Sequence, residues 1–243
     1  MSEKKYSRAH IGKEFTTNEG YVCRVIEGGT NPNYCTIRID DWVVEAQFTH
    51  VTKGQIKYPY HLSVFNVGYI GVGQYSSKTD KKIYQTWSGM LQRRYCPTLH
   101  KKHPTYKNVT VHPDWLNFQV FAKWMNKYYS KDELKYDLDK DLKSGESKVY
   151  SSETCMFIPQ SLNKFMSSVG SDNVSGQVGV SWETSRSKWR ASIFIDHKRK
   201  HLGYYAGRKE ASLAYQKARL EQVQRWRGYY SFDYPKSVLD RLK

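Results

Sequence analysis

The chain of 243 residues has no two cysteines in a C-x-x-C spacing; Cys23, Cys35, Cys96 and Cys155 stand far apart. That excludes a cysteine zinc finger, and four scattered thiols fit a reduced, intracellular protein better than a disulfide scaffold. No apolar run approaches the ~20 residues of a membrane-spanning helix. The opening segment MSEKKYSRAH also lacks the apolar stretch of a secretory signal. Histidine is missing between His112 and His197. Gly68, Gly71 and Gly73 are followed by no Lys-Ser/Thr pair, so they form no phosphate loop. A linker or bend is expected there, and no nucleotide cofactor. Acid is scarce, with 23 Asp and Glu against 39 Lys and Arg and a net charge of +16. Aromatic residues, by contrast, make up 15%, more than a disordered polyelectrolyte would hold. A folded, basic, aromatic-rich chain implies a nucleic-acid partner and no membrane. A basic protein whose charge serves only solubility is the bland alternative.

The charge is not spread evenly. Residues 1–74 carry a net +1, residues 75–130 a net +8, residues 131–170 a net −1, and residues 171–243 a net +8. Two basic blocks thus flank an acid-rich island. Basic surfaces hold phosphates, and a local carboxylate cluster holds a cation.

An α+β, multidomain chain is expected. Residues 1–74 read as a small β domain, with strand-forming runs at 21–26, 34–39 and 42–46 and a turn at Glu27-Gly28-Gly29. In residues 75–166, TWSGMLQRRY (86–95) reads as a helix with Trp87, Met90 and Leu91 on one face. Asp114 is expected to cap a second helix from Trp115 to about Tyr129. Its stripe of Trp115, Phe118, Phe121, Trp124, Met125 and Tyr128 is core packing, and Lys123 and Lys127 take the other face. Strand, loop, strand and helix across 137–163 predict a ββα unit. Within it Asp139 ends the first strand and Asn163 rides the helix, where both could hold one divalent cation through oxygen. Cys155 is expected to be a buried structural thiol. Residues 167–178 read as a linker, and residues 179–243 as three strands and one helix.

In that last segment, alternation sets Lys188, Arg190 and Ser192 on one face and Trp189, Ala191 and Ile193 on the other. A turn at Asp196-His197-Lys198 leads to a strand in which Arg199 and His201 share a face. The helix, from about Arg208 to Trp226, carries the small-residue stripe Ala211, Ala214, Tyr215 and Ala218. Such a sheet, backed on one side only, leaves its basic face for a DNA groove. The runs GVSW (179–182), KWRA (188–191), HLGYY (201–205), Glu210-Ala211 and Ala214-Tyr215 resemble the APETALA-two/ethylene-response-factor DNA-binding domain over about 55 residues. The resemblance implies groove or phosphate contacts from Arg186, Lys188, Arg190 and His201, with Arg199 on the same face. Ser181 and Trp182 stand where plant members carry arginines, so the plant target sequence does not carry over.

The central segment resembles phage-type HNH (His-Me finger) endonucleases. The likeness runs from Trp87 and Met90 through Arg93-Arg94-Tyr95, Tyr106, Val109-Thr110-Val111, Trp115, Phe118 and Phe121. It continues through LDKD (138–141) and YSSETC (150–155) to Asn163. It implies a catalytic set of Asp139, Lys140, Asp141 and Asn163, with Mg²⁺ or Mn²⁺ held by Asp139 and Asn163. It also implies double-stranded DNA gripped by Arg93, Arg94, Lys101 and Lys102. The family's general-base histidine would stand near Lys140, leaving Lys140 as either base or phosphate clamp, and His100, His103 and His112 as further sources of the base. Thr154 takes the position of the asparagine that braces the loop. Together the two likenesses imply a homing-like phage endonuclease in the cytoplasm of the infected bacterial host. The alternatives are a DNA-binding regulator or host-takeover factor with an inactive core, and a structural phage protein.

Overall fold

The structure, a computed structural model, describes residues 10–29, 31–130, 135–144, 148–166, 176–195 and 198–230. Most of the expected linker at 167–178, and Asp196 and His197 of the expected turn, lie outside the described residues. The fold is α+β. The chain divides into two compact units, one running to Cys96 and taking in Leu116–Ala122, the other comprising Pro97–Trp115 and the chain from Lys123 onward. The boundary expected at residue 74 does not coincide with this division, because residues 75–96 belong with the N-terminal strands.

In the first unit, β1 (Glu14–Thr16), β2 (Val22–Gly28), β3 (Tyr34–Ile39) and β4 (Trp42–Gln47) form an antiparallel sheet in chain order. Alternation drives it, since Cys23, Val25, Cys35, Ile37 and Ile39 all point into one buried cluster with Val51 and Ile56. Burial, and the neighbouring Cys35, push the Cys23 thiol up to about 11, so it is an inert core group. A short helix, α1 (Phe48–Thr52), closes this sheet.

The helix expected at 86–95 begins earlier, as α2 (Lys81–Tyr95), and buries Trp87, Met90 and Leu91 as its face requires. The glycine run is a bend but not a linker. Gly68 lies so close to Leu91 and Trp87 that an added Cβ would overlap them. Gly71, at φ +73°, lies against Asn117. Asp114 does not cap the following helix. Pro113–Leu116 is a 3₁₀ turn, and α4 runs from Phe118 to Tyr128. Asn117, not Asp114, is its cap: Asn117 Oδ1 accepts the Gln119 N–H at 2.9 Å.

The second unit opens with α3 (Pro97–Lys102) and β5 (Thr110–Val111). Next come β6 (Tyr136–Asp139), α5 (Asp141–Ser144), β7 (Val149–Tyr150), β8 (Met156–Pro159) and α6 (Gln160–Met166). β6 pairs antiparallel with β8, which leads directly into α6, so the expected strand, loop, strand and helix are present. Aromatic contacts join Trp124 of α4 to Phe157 (ring centres 5.2 Å apart) and Tyr129 to Phe157 and Tyr136.

The C-terminal part is a three-stranded antiparallel sheet ordered β11-β10-β9 (Lys198–Tyr205, Lys188–Ile195, Val180–Glu183), backed by α7 (Arg208–Tyr230). Ala211 and Tyr215 are buried against it, with Ala214 and Ala218 packed beside them. Gly179, at φ +74°, approaches the Tyr215 ring so closely that a Cβ would overlap it. The ββα unit and this module share one core, because Leu142, Ile158 and Leu162 cluster with Val180, Ala191 and Ile193. Leu162→Ala, at a fully buried position, should cost about 2–5 kcal/mol. It should also shift the amide resonances of β10, and a thermal melt with a two-dimensional NMR spectrum checks both. Shifts confined to residues 136–166 would contradict the shared core.

Candidate functional site

The acidic island folds around the end of β6. Strand alternation sets Asp137 and Asp139 on one face of β6. Asp139 Oδ1 accepts the backbone N–H groups of Asp141 (2.9 Å) and Leu142 (2.8 Å), so it caps the first turn of α5. Both hydrogen bonds that the Asp139 carboxylate accepts among the described residues fall on Oδ1. Burial pushes its carboxyl above the ordinary carboxylate value. The two backbone donors and the neighbouring Lys140 pull it down, and Asp141 pushes it up. Lys140 is buried, 8% exposed, with its ammonium on Asp141 Oδ1 and 6.0 Å from the centre of the Tyr150 ring.

Asn163 does not bond Asp139. Its Nδ2 donates to Asp137 Oδ2 at 3.1 Å, and Gln160 Nε2 donates to Asp137 Oδ1 at 2.8 Å. Asp137 therefore ties α6 to β6 and engages the amide nitrogen of Asn163. Sequence reasoning missed this carboxylate, although its i+2 spacing from Asp139 in a strand was a usable signal. Among the described residues no three His, Cys, Asp or Glu side chains gather into a group able to hold a metal. Asp139 carries a carboxylate and Asn163 an amide oxygen, hard donors of the class that suits Mg²⁺, but the bond that Asn163 makes here is to Asp137. Asp137 on the amide nitrogen is the kind of outer contact that orients a metal ligand.

The loop joining β7 to β8 turns on Thr154. Its hydroxyl donates to the Val149 carbonyl at 2.5 Å, accepts the Ser151 N–H at 3.1 Å and lies 3.0 Å from Ser151 Oγ. A side chain one bond shorter than asparagine thus closes the loop from within. Cys155 is buried beside it. Of the histidines preceding the unit, His112 is joined to it by a backbone bond. β5 pairs in parallel with β7, and the His112 N–H donates to the Tyr150 carbonyl at 2.9 Å. The His112 ring lies 3.7 Å from Asp114. His100 belongs to α3, and His103 follows it.

The basic residues fall into separate groups. Arg93 and Arg94 occupy the last turn of α2 in the first unit. Lys101 and Lys102 occupy the last turn of α3 in the second. On the C-terminal sheet, Lys188, Arg190 and Ser192 share the face away from the buried Ala191 and Ile193. Arg199 pairs with Phe194 and His201 with Ser192, so both join that face. Glu183 lies 3.5 Å from Arg190, and the Arg190 Nε is buried without a hydrogen-bond acceptor.

Tyr204, absent from the residues expected to matter, is the centre of this surface. The Arg186 guanidinium stacks over its ring at 4.8 Å, and the His201 ring centre is 4.5 Å away. Strict alternation from Arg199 and His201 would turn Tyr204 to the helix side. A bulge opposite Ala191/Ser192 adds a residue to β11 and reverses that parity, so Tyr204 pairs with Arg190. At one end of this face Lys164 of α6 lies 5.6 Å over the Phe194 ring.

No family model, curated protein or solved structure matches the chain. Among the described residues no helix is long and apolar enough to cross a membrane.

Thr154→Val keeps the shape but removes three hydrogen-bonding relations. It should lower the unfolding free energy by about 1–3 kcal/mol in urea denaturation, since Val149 and Ser151 lose their partner. Thr154→Asn should recover a large part of that loss. Equal losses in both variants would show that the hydroxyl braces nothing.

Proposed function

We propose that the chain is a phage-encoded DNA endonuclease of the HNH type, acting in the cytoplasm of the infected host. In this reading it hydrolyses phosphodiester bonds of double-stranded DNA with one divalent cation and selects sites with its C-terminal sheet. The observation that carries the reading is the unit of β6, β8 and α6. It has a carboxylate at the strand end, an oriented amide on the helix, and a loop braced by Thr154. Asp139 and Asn163 would hold Mg²⁺ or Mn²⁺. The cation, when bound, would stabilise charge on the leaving 3′ oxygen. Lys140, ion-paired with Asp141, serves as a cation against phosphate. Hydrolysis needs a base to take a proton from water. His112, tied to the unit through Tyr150, is the histidine the fold offers for it. Lys101 and Lys102 of α3, and Arg93 and Arg94 of α2, supply phosphate contacts. Lys188, Arg190, Arg199, His201 and the stacked pair Arg186–Tyr204 form the reading face.

A second reading, a DNA-binding regulator that does not cut, is favoured by one observation. The residue at the histidine position is a lysine already ion-paired with Asp141.

The two readings separate in a cleavage assay on phage and bacterial DNA with Mg²⁺ or Mn²⁺. Wild type should nick or cut, and Asp139→Ala should lose at least about a hundredfold, the scale of one stabilising group in a reaction centre. Binding without cleavage by either metal would leave the regulator. In both readings log affinity should fall against log salt with a slope of about −0.9 per phosphate contact, and a flat response would defeat both. Arg190→Ala should weaken preference for the cognate site by about 1–3 kcal/mol if the side chain reads a base. A uniform loss over all sequences would make it a phosphate contact instead.

A further inference from the structure

A concavity of about 590 Å³ lies where the β10–β11 hairpin meets α7. It faces the helix side of the sheet, away from the surface assigned to DNA reading. Lys198 and Lys200 pair across the ladder with Ile195 and Ile193, whose row packs toward α7. Lys198, Lys200 and Arg225 line the cavity together with the carboxylate of Glu221; Arg199 borders it too, although the register turns its side chain to the reading face. Its floor is built: Gln222, 5% exposed, supplies an amide, and Ile195 and Ala218 supply an apolar wall. Like charges converging on a concave, partly apolar surface repel one another and focus positive potential outward. A phosphate group relieves that repulsion, and Lys198 and Lys200 would hold it through charge-assisted hydrogen bonds.

We propose that this cavity is a second anion site of the C-terminal module, one that takes a phosphate-bearing ligand. Two sources share that chemistry, the phosphodiester backbone of nucleic acid and the terminal phosphates of a free nucleotide. The site is independent of the endonuclease reading, because none of its residues belongs to the β6–β8–α6 unit and only Arg199 belongs to the reading face. The competing explanation is edge protection. β11 is an edge strand, and lysines on an edge discourage sheet-to-sheet pairing without binding anything.

The test uses the full chain and pyrophosphate at low salt without divalent cations, followed by calorimetry. Saturable binding is expected. Lys200→Gln, at an exposed position, should weaken it about tenfold, the scale of one lost charge-assisted hydrogen bond. Lys53→Gln, with the same change in net charge at an exposed position of the first unit, should leave it within about twofold, the difference that screened surface charge makes. Ala218→Met fills the cavity at unchanged charge and should also weaken binding. Absence of saturable binding, or equal losses from Lys53→Gln and Lys200→Gln, would overturn the site in favour of edge protection. Given saturable binding lost in Lys200→Gln, displacement of pyrophosphate by a short DNA duplex identifies the backbone as the source. Displacement by ATP and not by duplex identifies a nucleotide.

Discussion

One apolar seam governs the second unit. Leu142, Ile158 and Leu162 come from the acidic island and its helix. Val180, Ala191, Ile193, Ala211, Tyr215 and Val223 come from the C-terminal sheet and helix. Neither group alone would exclude water well, since β6 and β8 pair over only four residues and the three-stranded sheet has one helix behind it. Short pairings of this kind are marginal until a hydrophobic face is covered. Sharing the core lets a two-stranded ladder hold a carboxylate and an amide at fixed positions. It also makes the β6–β8–α6 unit and the C-terminal sheet parts of one packed body.

Within that frame the polar contacts divide the labour. Asp137 links β6 to α6 through Gln160 and Asn163. Asp139 links β6 to α5 through two backbone donors. Thr154 closes the intervening loop. Each satisfies groups that are partly buried, and each lies next to a group assigned a chemical role. The capping of α5 by Asp139 is a structural reason for this aspartate that needs no metal. Its burial nonetheless raises the carboxyl, a situation in which a bound cation would lower the cost of charge.

Much of this was readable beforehand, for definite reasons. Strands and helices with strong periodicity announced themselves: β2 to β4 by alternating Cys, Val and Ile, α4 by its aromatic stripe, α7 by alanines and Tyr215 at helical spacing. The burial of Trp87, Phe118, Phe121 and Met125 followed from that periodicity alone. What failed to show was local chemistry with a long-range cause. Asn117 displaced Asp114 as the cap because the 3₁₀ turn at Pro113 comes first. The glycine run, expected as a linker or bend, is a bend, and its docking against Leu91, Trp87 and Asn117 was not readable from spacing. The pairing of Asn163 with Asp137 required the β6–β8 register, which composition does not carry.

Composition and order determined that the chain is basic in two blocks with an acidic island between them, that its core stripes are helical or extended, and which residues could carry chemistry. Those properties belong to the residues and their spacing, so no contact is needed to state them. The tertiary structure decided which carboxylate meets which amide and which histidine joins the unit. It decided also that Tyr204 faces outward and that Lys198, Lys200 and Arg225 line one cavity. Register, a single bulge and a shared core are set by packing between segments far apart in sequence, and a one-residue change in pairing reverses every face that alternation predicts.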